Sequence, residues 1–157
     1  MYFRINGALI WARGANFVPM DQFEGRLTDE SHRNLVQSAA TSNMNMIRIW
    51  GGGSIPPDSF YDACDEAGIM IFHDMMFVEE QYHGPQVNNL EEIEIRHIVR
   101  SLSPHPSIIV WVGCNEVSLW TFMGNFKISF LIQNHFCYVP SALSKWVQIV
   151  RFMLHLS

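Results

Sequence analysis

The sequence predicts an α/β fold built on a parallel sheet. Short apolar segments alternate with amphipathic segments from the start of the chain to about residue 117, and the amphipathic segments carry helix start or stop signals. The apolar segments are largely uninterrupted, as in strands that are buried on both faces. Strands that alternate with helices form parallel sheets with right-handed crossovers, either doubly wound or closed into a (β/α)8 barrel.

Four apolar segments supply the predicted strands: residues 9–12, 46–50, 69–72 and 108–112. A loop through Asn16 is expected after the first strand, and three glycines at 51–53 end the second. Consecutive glycines lack the spacing of a dinucleotide-binding loop, which argues against a Rossmann fold. A full barrel has eight strands in about 250 residues, so four strands would make only half a barrel.

Three helices are predicted between these strands. Thr28 is the expected N-cap of the first, followed by two acids and by an apolar face at residues 35, 36, 39 and 40. Two prolines open the second helix and Gly68 ends it. For the third, Asn88 or Asn89 is the expected cap, with Glu92 completing a capping box and Leu90, Ile93, His97 and Ile98 keeping the helical period.

Charge and hydropathy exclude some classes of partner. The formal net charge of −5 argues against nucleic acid and anionic membranes as partners. Polar residues interrupt the apolar stretch at 128–156, so it lacks the roughly 20 apolar residues of a membrane span. No secretory signal pattern opens the chain. The histidines lack metal-ligand spacing, so no metal site is predicted.

Polar side chains lie at or just after the carboxyl ends of the predicted strands. In a parallel sheet or barrel the carboxyl ends of the strands meet at one rim, where reactive groups are placed. The sequence therefore predicts a polar site at this rim, although the pattern alone does not name a reaction. The residues expected there are Asn16, Arg48, Trp50, His73, Asp74, Asn115 and Glu116.

Several motifs occur in a fixed order along residues 3–117. They read R-I-W-G-G-G at 48–53, F-Y-D-A-C-D-E-A-G-I-M at 60–70, and H-P-S-I-I-V-W at 105–111, followed by N-E at 115–116. Together they resemble the catalytic barrel of glycoside hydrolase family two, and within that family they are most similar to β-mannosidases. The resemblance favours the barrel, so the predicted fold is about the first four βα units of a (β/α)8 barrel.

The resemblance implies a role for each matched residue. Glu116 corresponds to the general acid/base, and Asn115 to the residue that hydrogen-bonds the sugar 2-hydroxyl. Trp50 is implied to form an apolar wall of the sugar pocket. Arg48 and Asp74 are implied to be polar contacts at the rim, with Asp74 binding sugar hydroxyls directly. The implied reaction is removal of terminal β-D-mannose from an oligosaccharide or glycoprotein glycan with retention, and two carboxyls and water suffice for it without metal or cofactor.

The sequence departs from the family at three places. Phe72-His73 replaces the usual Trp-Gln, Cys114 stands where asparagine is common, and no segment matches the strand that carries the nucleophile. Residues 1–117 are therefore expected to form the N-terminal half of a barrel, with the C-terminal half missing. Residues 118–157 are expected to form a divergent tail that is helical or poorly ordered. The family's relatives are commonly lysosomal or secreted, so the compartment stays open.

Other interpretations remain at this point. Glu116 could cap a following helix or pair with Arg48, because structural ion pairs are common among carboxylates. A half barrel exposes a strand edge, so the chain could be an inactive fragment that binds a partner. A third interpretation is a carbohydrate-binding remnant that keeps Trp50 and Asn115 without cleaving its ligand.

Overall fold

The fold is α/β with one parallel sheet and one antiparallel hairpin. The computed structural model describes residues 2–76, 87–113 and 115. Within them the hairpin strands are β1 (Tyr2–Ile5) and β2 (Ala8–Trp11), and the parallel strands are β3 (Gly14–Phe17), β4 (Met46–Ile49), β5 (Met70–Asp74) and β6 (Ile108–Val112). The helices are α1 (Asp29–Thr41), α2 (Asp58–Ala67) and α3 (Val87–Leu102), and a 3-10 turn spans Glu24–Arg26. The predicted tail at 118–157 lies outside the described residues.

The parallel strands are hydrogen-bonded in chain order, β3-β4-β5-β6. Buried residues of all three helices share one core with Ile47, Ile49 and Ile71, so the helices cover a single face of the sheet. A doubly wound sheet places helices on both faces and reverses its strand order. Among the described residues, strand order and helix placement are those of successive βα units in a barrel.

The first predicted strand exists, but it does not belong to the parallel sheet. Residues 8–11 form the second strand of the hairpin, and the first parallel strand is Gly14–Phe17, which was expected to be a loop. The turn between the hairpin strands consists of Asn6 (φ 48) and Gly7 (φ 82). Asn-Gly with two positive φ values is the preferred two-residue hairpin turn, because its twist matches that of the strands. The Asn6-Gly7 dipeptide is therefore the sequence signal for the hairpin, and the predicted strands did not take it into account.

The first helix begins where predicted, and the second begins and ends where predicted. The Thr28 hydroxyl accepts a hydrogen bond from the Ser31 N–H, while the Ser31 hydroxyl accepts one from the Thr28 N–H, which completes a capping box. Gly68 ends α2 in the left-handed conformation (φ 68), where glycine avoids the cost that a Cβ imposes. The backbone between α2 and β5 is therefore fixed locally.

The third helix differs from its prediction. It begins at Val87, so Asn88 and Asn89 lie inside the helix and do not precede it. Leu90 and Ile93 are 70% and 65% exposed. The buried face consists of Ile95, Ile98 and Leu102. In the described part of the chain, no helix is both long enough and apolar enough to cross a membrane.

Candidate active site

Four polar side chains meet at the carboxyl ends of the parallel strands. Asn16 and Arg48 occupy paired positions of β3 and β4, and Asp74 is the last residue of β5. Asn115 follows β6. Because successive strand residues point to opposite faces, Arg48 projects away from Ile47 and Ile49, which face the helices. The site therefore lies on the sheet face opposite to the helices.

Arg48 connects the other three polar side chains. Its Nε donates to Asp74 Oδ1 at 3.2 Å, and its Nη2 donates to Asp74 Oδ2 at 2.6 Å. Nη2 also donates to Asn115 Oδ1 at 2.7 Å, and Nη1 donates to Asn16 Oδ1 at 3.3 Å. The guanidinium lies over the Phe72 ring, 5.7 Å from its centroid. Arginine is suited to this position because its planar donors engage several acceptors in fixed directions.

Asp74 is held from two sides. Its side chain is 0% exposed, against 28% for Arg48. The Gly51 N–H donates to Oδ2 at 3.3 Å, in addition to the two Arg48 contacts. Burial raises the pKa of Asp74, while Arg48 and the Gly51 N–H act to lower it. Both oxygens accept from guanidinium donors, an arrangement that favours the ionised carboxylate because that form is acceptor-only.

Arg48 determines the orientation of the Asn115 amide. Arginine has no acceptor, so the amide atom that faces it must be the oxygen. The Asn115 nitrogen, with two donor hydrogens, is consequently directed elsewhere. The residue is 7% exposed, so its amide is oriented in a nearly buried environment. A fixed amide donor suits recognition of a hydroxyl or other acceptor.

Trp50 lies immediately after β4, next to the glycine loop. A Cβ on Gly52 would overlap the Trp50 indole, and a Cβ on Gly51 would overlap the Met75 carbonyl oxygen. Glycine is required at Gly51, where the obstacle is backbone, whereas a side chain at Gly52 would displace the Trp50 indole. The indole therefore lies directly against the loop backbone. The contacts that join Arg48, Asp74 and Asn115 do not include Trp50.

Glu116 lies outside the described residues, and so does Cys114. Asn115, which precedes Glu116 in the chain, accepts a hydrogen bond from Arg48. The roles predicted for Glu116 and for the other site residues thus stay predictions. Asn16 was expected near this rim from its place after a strand, and it is found there as a strand residue hydrogen-bonded to Arg48.

His73 supports the site from the helix side of the sheet. Its Nδ1 lies 2.8 Å from the Asp74 carbonyl oxygen, and its Nε2 lies 2.9 Å from the Tyr61 hydroxyl. Because a carbonyl only accepts, Nδ1 carries the hydrogen and Nε2 accepts from Tyr61. Burial lowers the pKa of His73 to about 4, and the hydrogen bond to Asp74 opposes this shift. His73 is thus a neutral packing residue on the helix side of the sheet, rather than one of the polar side chains expected at the rim.

The pKa of His73 predicts a pH dependence of stability. Between the ordinary pKa of 6.5 and the folded value of about 4, the unfolded chain binds a proton at this site that the folded chain does not. The free energy of unfolding should therefore fall as pH decreases through this window, by about 3 kcal/mol from this group. Urea unfolding at pH 7.5 and 4.5 measures it. His73→Gln should remove this part of the slope, and equal slopes in both proteins would contradict the prediction.

A second polar cluster lies at the opposite ends of the strands. Asp65 of α2 accepts from the Ser107 N–H at 3.0 Å and contacts His105 Nδ1 at 2.8 Å. Burial alone would raise the pKa of Asp65, but the hydrogen bonds from Ser107 and His105 bring it below the ordinary value. The ligand atoms of Asp62, Asp65 and His105 lie within 4.8 Å of one another. Since Asp65 is already engaged by the loop before β6, the cluster connects that loop to α2.

Comparison with known proteins identifies this segment. No family model matches the chain. It is 45% identical to a β-mannosidase of Capra hircus over 125 residues, covering 78% of this chain and 14% of the relative. It is 40% identical to a β-mannosidase B of Emericella nidulans over 116 residues, covering 73% of this chain and 14% of the relative. The chain thus spans about one-seventh of the length of the relatives it matches.

Solved structures give the same assignment. A β-D-mannosidase from Dictyoglomus thermophilum superposes with a TM-score of 0.69 at 39% identity, over 73% of this chain and 14% of that one. A β-glucuronidase from Bacteroides uniformis superposes with a TM-score of 0.62 at 26% identity, over 91% of this chain and 15% of that one. Over the matched stretch, the chain is a homologue of the β-mannosidases of glycoside hydrolase family two and is related to the family's β-glucuronidases.

Proposed function

We propose that this chain supplies the first four βα units of a (β/α)8 catalytic barrel in a retaining exo-β-mannosidase. The observation that carries the proposal is the Arg48–Asp74–Asn115 network at the carboxyl ends of neighbouring strands, next in sequence to Glu116. Catalytic groups of barrel enzymes occupy this rim. The β-mannosidase relatives at 40–45% identity support glycoside hydrolysis of β-mannosides.

In this proposal Glu116 protonates the leaving oxygen and then activates water. Asn115, oriented by Arg48, donates its amide hydrogens to the 2-hydroxyl of the sugar, a contact that strengthens in the transition state. Trp50 offers an apolar surface to the sugar ring. Direct contact of Asp74 with sugar hydroxyls stays a prediction. Its full burial and its contacts with Arg48 and Gly51 favour a positioning role, in which it holds the guanidinium that orients Asn115.

Retention also requires a nucleophile carboxylate about 5–5.5 Å from the acid. Asp74 is a poor candidate because both of its oxygens are engaged by Arg48. We propose that the nucleophile belongs to a later barrel strand of a longer protein, in agreement with the 14% of the relatives' length that the chain spans. The 157-residue chain alone is then expected to be inactive.

A chimaera tests the proposal. The matched part of this chain replaces the corresponding segment of the Dictyoglomus thermophilum enzyme, and initial rates are measured with nitrophenyl β-mannoside, β-glucuronide and β-glucoside. We expect the chimaera to hydrolyse the β-mannoside in preference to the other two substrates. A chimaera that lacks the host's nucleophile should hydrolyse none of them. A folded chimaera that cleaves no β-glycoside, or that prefers the glucuronide, would contradict the proposal.

A further inference from the structure

A cavity of about 300 Å³ lies beside the first two loops that follow the parallel strands. Apolar side chains form much of its wall, including Phe17, Pro19, Ile55 and Pro56. Cavities that bind small organic ligands begin at about this volume and combine apolar walls with a few polar groups. The cavity is thus suited in size to one small ring.

The cavity is separate from the Arg48 network. Phe17 packs against Phe60 of α2, with ring centroids 5.0 Å apart, so its side chain faces the helices. Its neighbour Asn16 faces Arg48 on the other side of the sheet. Because Phe17 lines the cavity, the cavity opens on the helix side of β3. A ligand there would not contact the proposed catalytic residues.

His32 is a buried polar group in the cavity wall. It is 6% exposed, and its Nδ1 lies 2.9 Å from the Thr28 carbonyl oxygen. Since that oxygen only accepts, Nδ1 carries the hydrogen, which leaves Nε2 as the acceptor nitrogen of the uncharged tautomer. Among the residues that the structure describes, no hydrogen bond engages this Nε2. The cavity wall therefore contains an imidazole nitrogen that accepts no hydrogen bond from the described residues.

Glu24 and Asp29 add two carboxylates to the cavity lining, which contains no Lys or Arg. Within the described ranges, the one His/Cys/Asp/Glu group compact enough for a metal ion is Asp62, Asp65 and His105. The acceptors of Glu24, Asp29 and His32 are therefore too far apart to share one ion. Separated acceptors match a ligand that carries several separate donors, rather than a single cationic centre.

We propose that this cavity binds a neutral pyranose as an accessory sugar site. The ring's hydroxyl groups donate to His32 Nε2 and to the carboxylates of Glu24 and Asp29. Its C–H face packs on Phe17 and Pro19. This assignment rests on the cavity alone and holds whether or not Glu116 is catalytic.

Binding is measured by titrating the isotopically labelled 157-residue chain with methyl mannopyranoside and methyl glucopyranoside, following amide and imidazole NMR signals. We expect saturable shifts at His32 with a Kd of about 1–10 mM. The double variant Glu24→Gln/Asp29→Asn keeps side-chain size and should weaken binding about tenfold, because it removes charge-assisted hydrogen bonds. Asp58→Asn is the matched control, since Asp58 is also an exposed acid in the first turn of a helix and does not line the cavity. It should bind as the wild type does.

Three results would overturn this proposal. The first is the absence of saturable shifts with either sugar at concentrations well above the expected Kd. The second is unchanged binding in the double variant but lost binding in Asn115→Ala, which would place the sugar at the catalytic rim. The third is saturable binding of a simple amine such as piperidine in place of the sugars, which would mean that the acceptors serve a cation.

Discussion

Replacing Glu116 with glutamine is expected to lower the hydrolysis of an alkyl β-mannoside by a factor of about 10²–10⁴, the usual contribution of a general acid. An alkoxide leaves poorly unless it is protonated as the bond breaks, and glutamine cannot supply the proton. Asn115 gives this prediction its structural basis, because its hydrogen bond to Arg48 fixes the residue next to Glu116 at the rim. The kcat/KM values of the chimaera and its variant measure the effect.

The leaving group provides the internal control for this variant. A dinitrophenolate leaves without assistance, so the first step should be nearly unaffected and the glycosyl intermediate should accumulate. Added azide, which needs no base, should then restore turnover and yield mannosyl azide. Equal loss of activity on alkyl and dinitrophenyl mannosides, without rescue by azide, would show that Glu116 acts through structure and not as the acid/base.

Replacing Asp74 with alanine is expected to destabilise the fold by about 2–3 kcal/mol, because removing one partner of a buried ion pair leaves the other charge uncompensated. Asp74 is fully buried, whereas Arg48 is 28% exposed and can recover some hydration, which limits the loss. The Gly51 N–H also loses its acceptor. Urea unfolding of the 157-residue chain at neutral pH measures the change.

An exposed ion pair serves as a control that distinguishes the effect of burial on stability from the effect of charge pairing alone. Arg33 and Glu66 are 3.1 Å apart with side chains 43% and 68% exposed, so Glu66→Ala should cost at most about 1 kcal/mol. The double variant Arg48→Met/Asp74→Ala should be more stable than Asp74→Ala alone, because it removes the uncompensated cation. Equal effects of Asp74→Ala and Glu66→Ala would contradict the role assigned to burial.

Much of the fold was predictable because its signals are local. Strands β4, β5 and β6 are short apolar runs, and each lies within two residues of its predicted position. Thr28 and Gly68 mark helix ends through capping geometry that depends only on nearby residues. Arg48 and Asp74 were expected at one rim because they lie at or just after the carboxyl ends of neighbouring predicted strands, and the structure joins them.

Other features depend on distant contacts. Strand β3 has three exposed residues and only Phe17 buried, so no apolar run identifies it, and its pairing with β4 defines it. The pairing of Tyr61 with His73 and the cavity beside His32 arise from packing between helices and strands. Leu90 and Ile93 follow the helical period yet are exposed, because the period does not specify which face meets the sheet.

The anomeric configuration of the first product tests the central claim most directly. Proton NMR during hydrolysis of an aryl β-mannoside by the chimaera distinguishes the two anomers before they interconvert. The proposed pairing of Glu116 with a nucleophile about 5–5.5 Å away predicts that β-mannose forms first, through two inversions at the anomeric carbon. Initial formation of α-mannose would mean that a single displacement by water occurs, and it would contradict the role proposed for this half of the barrel.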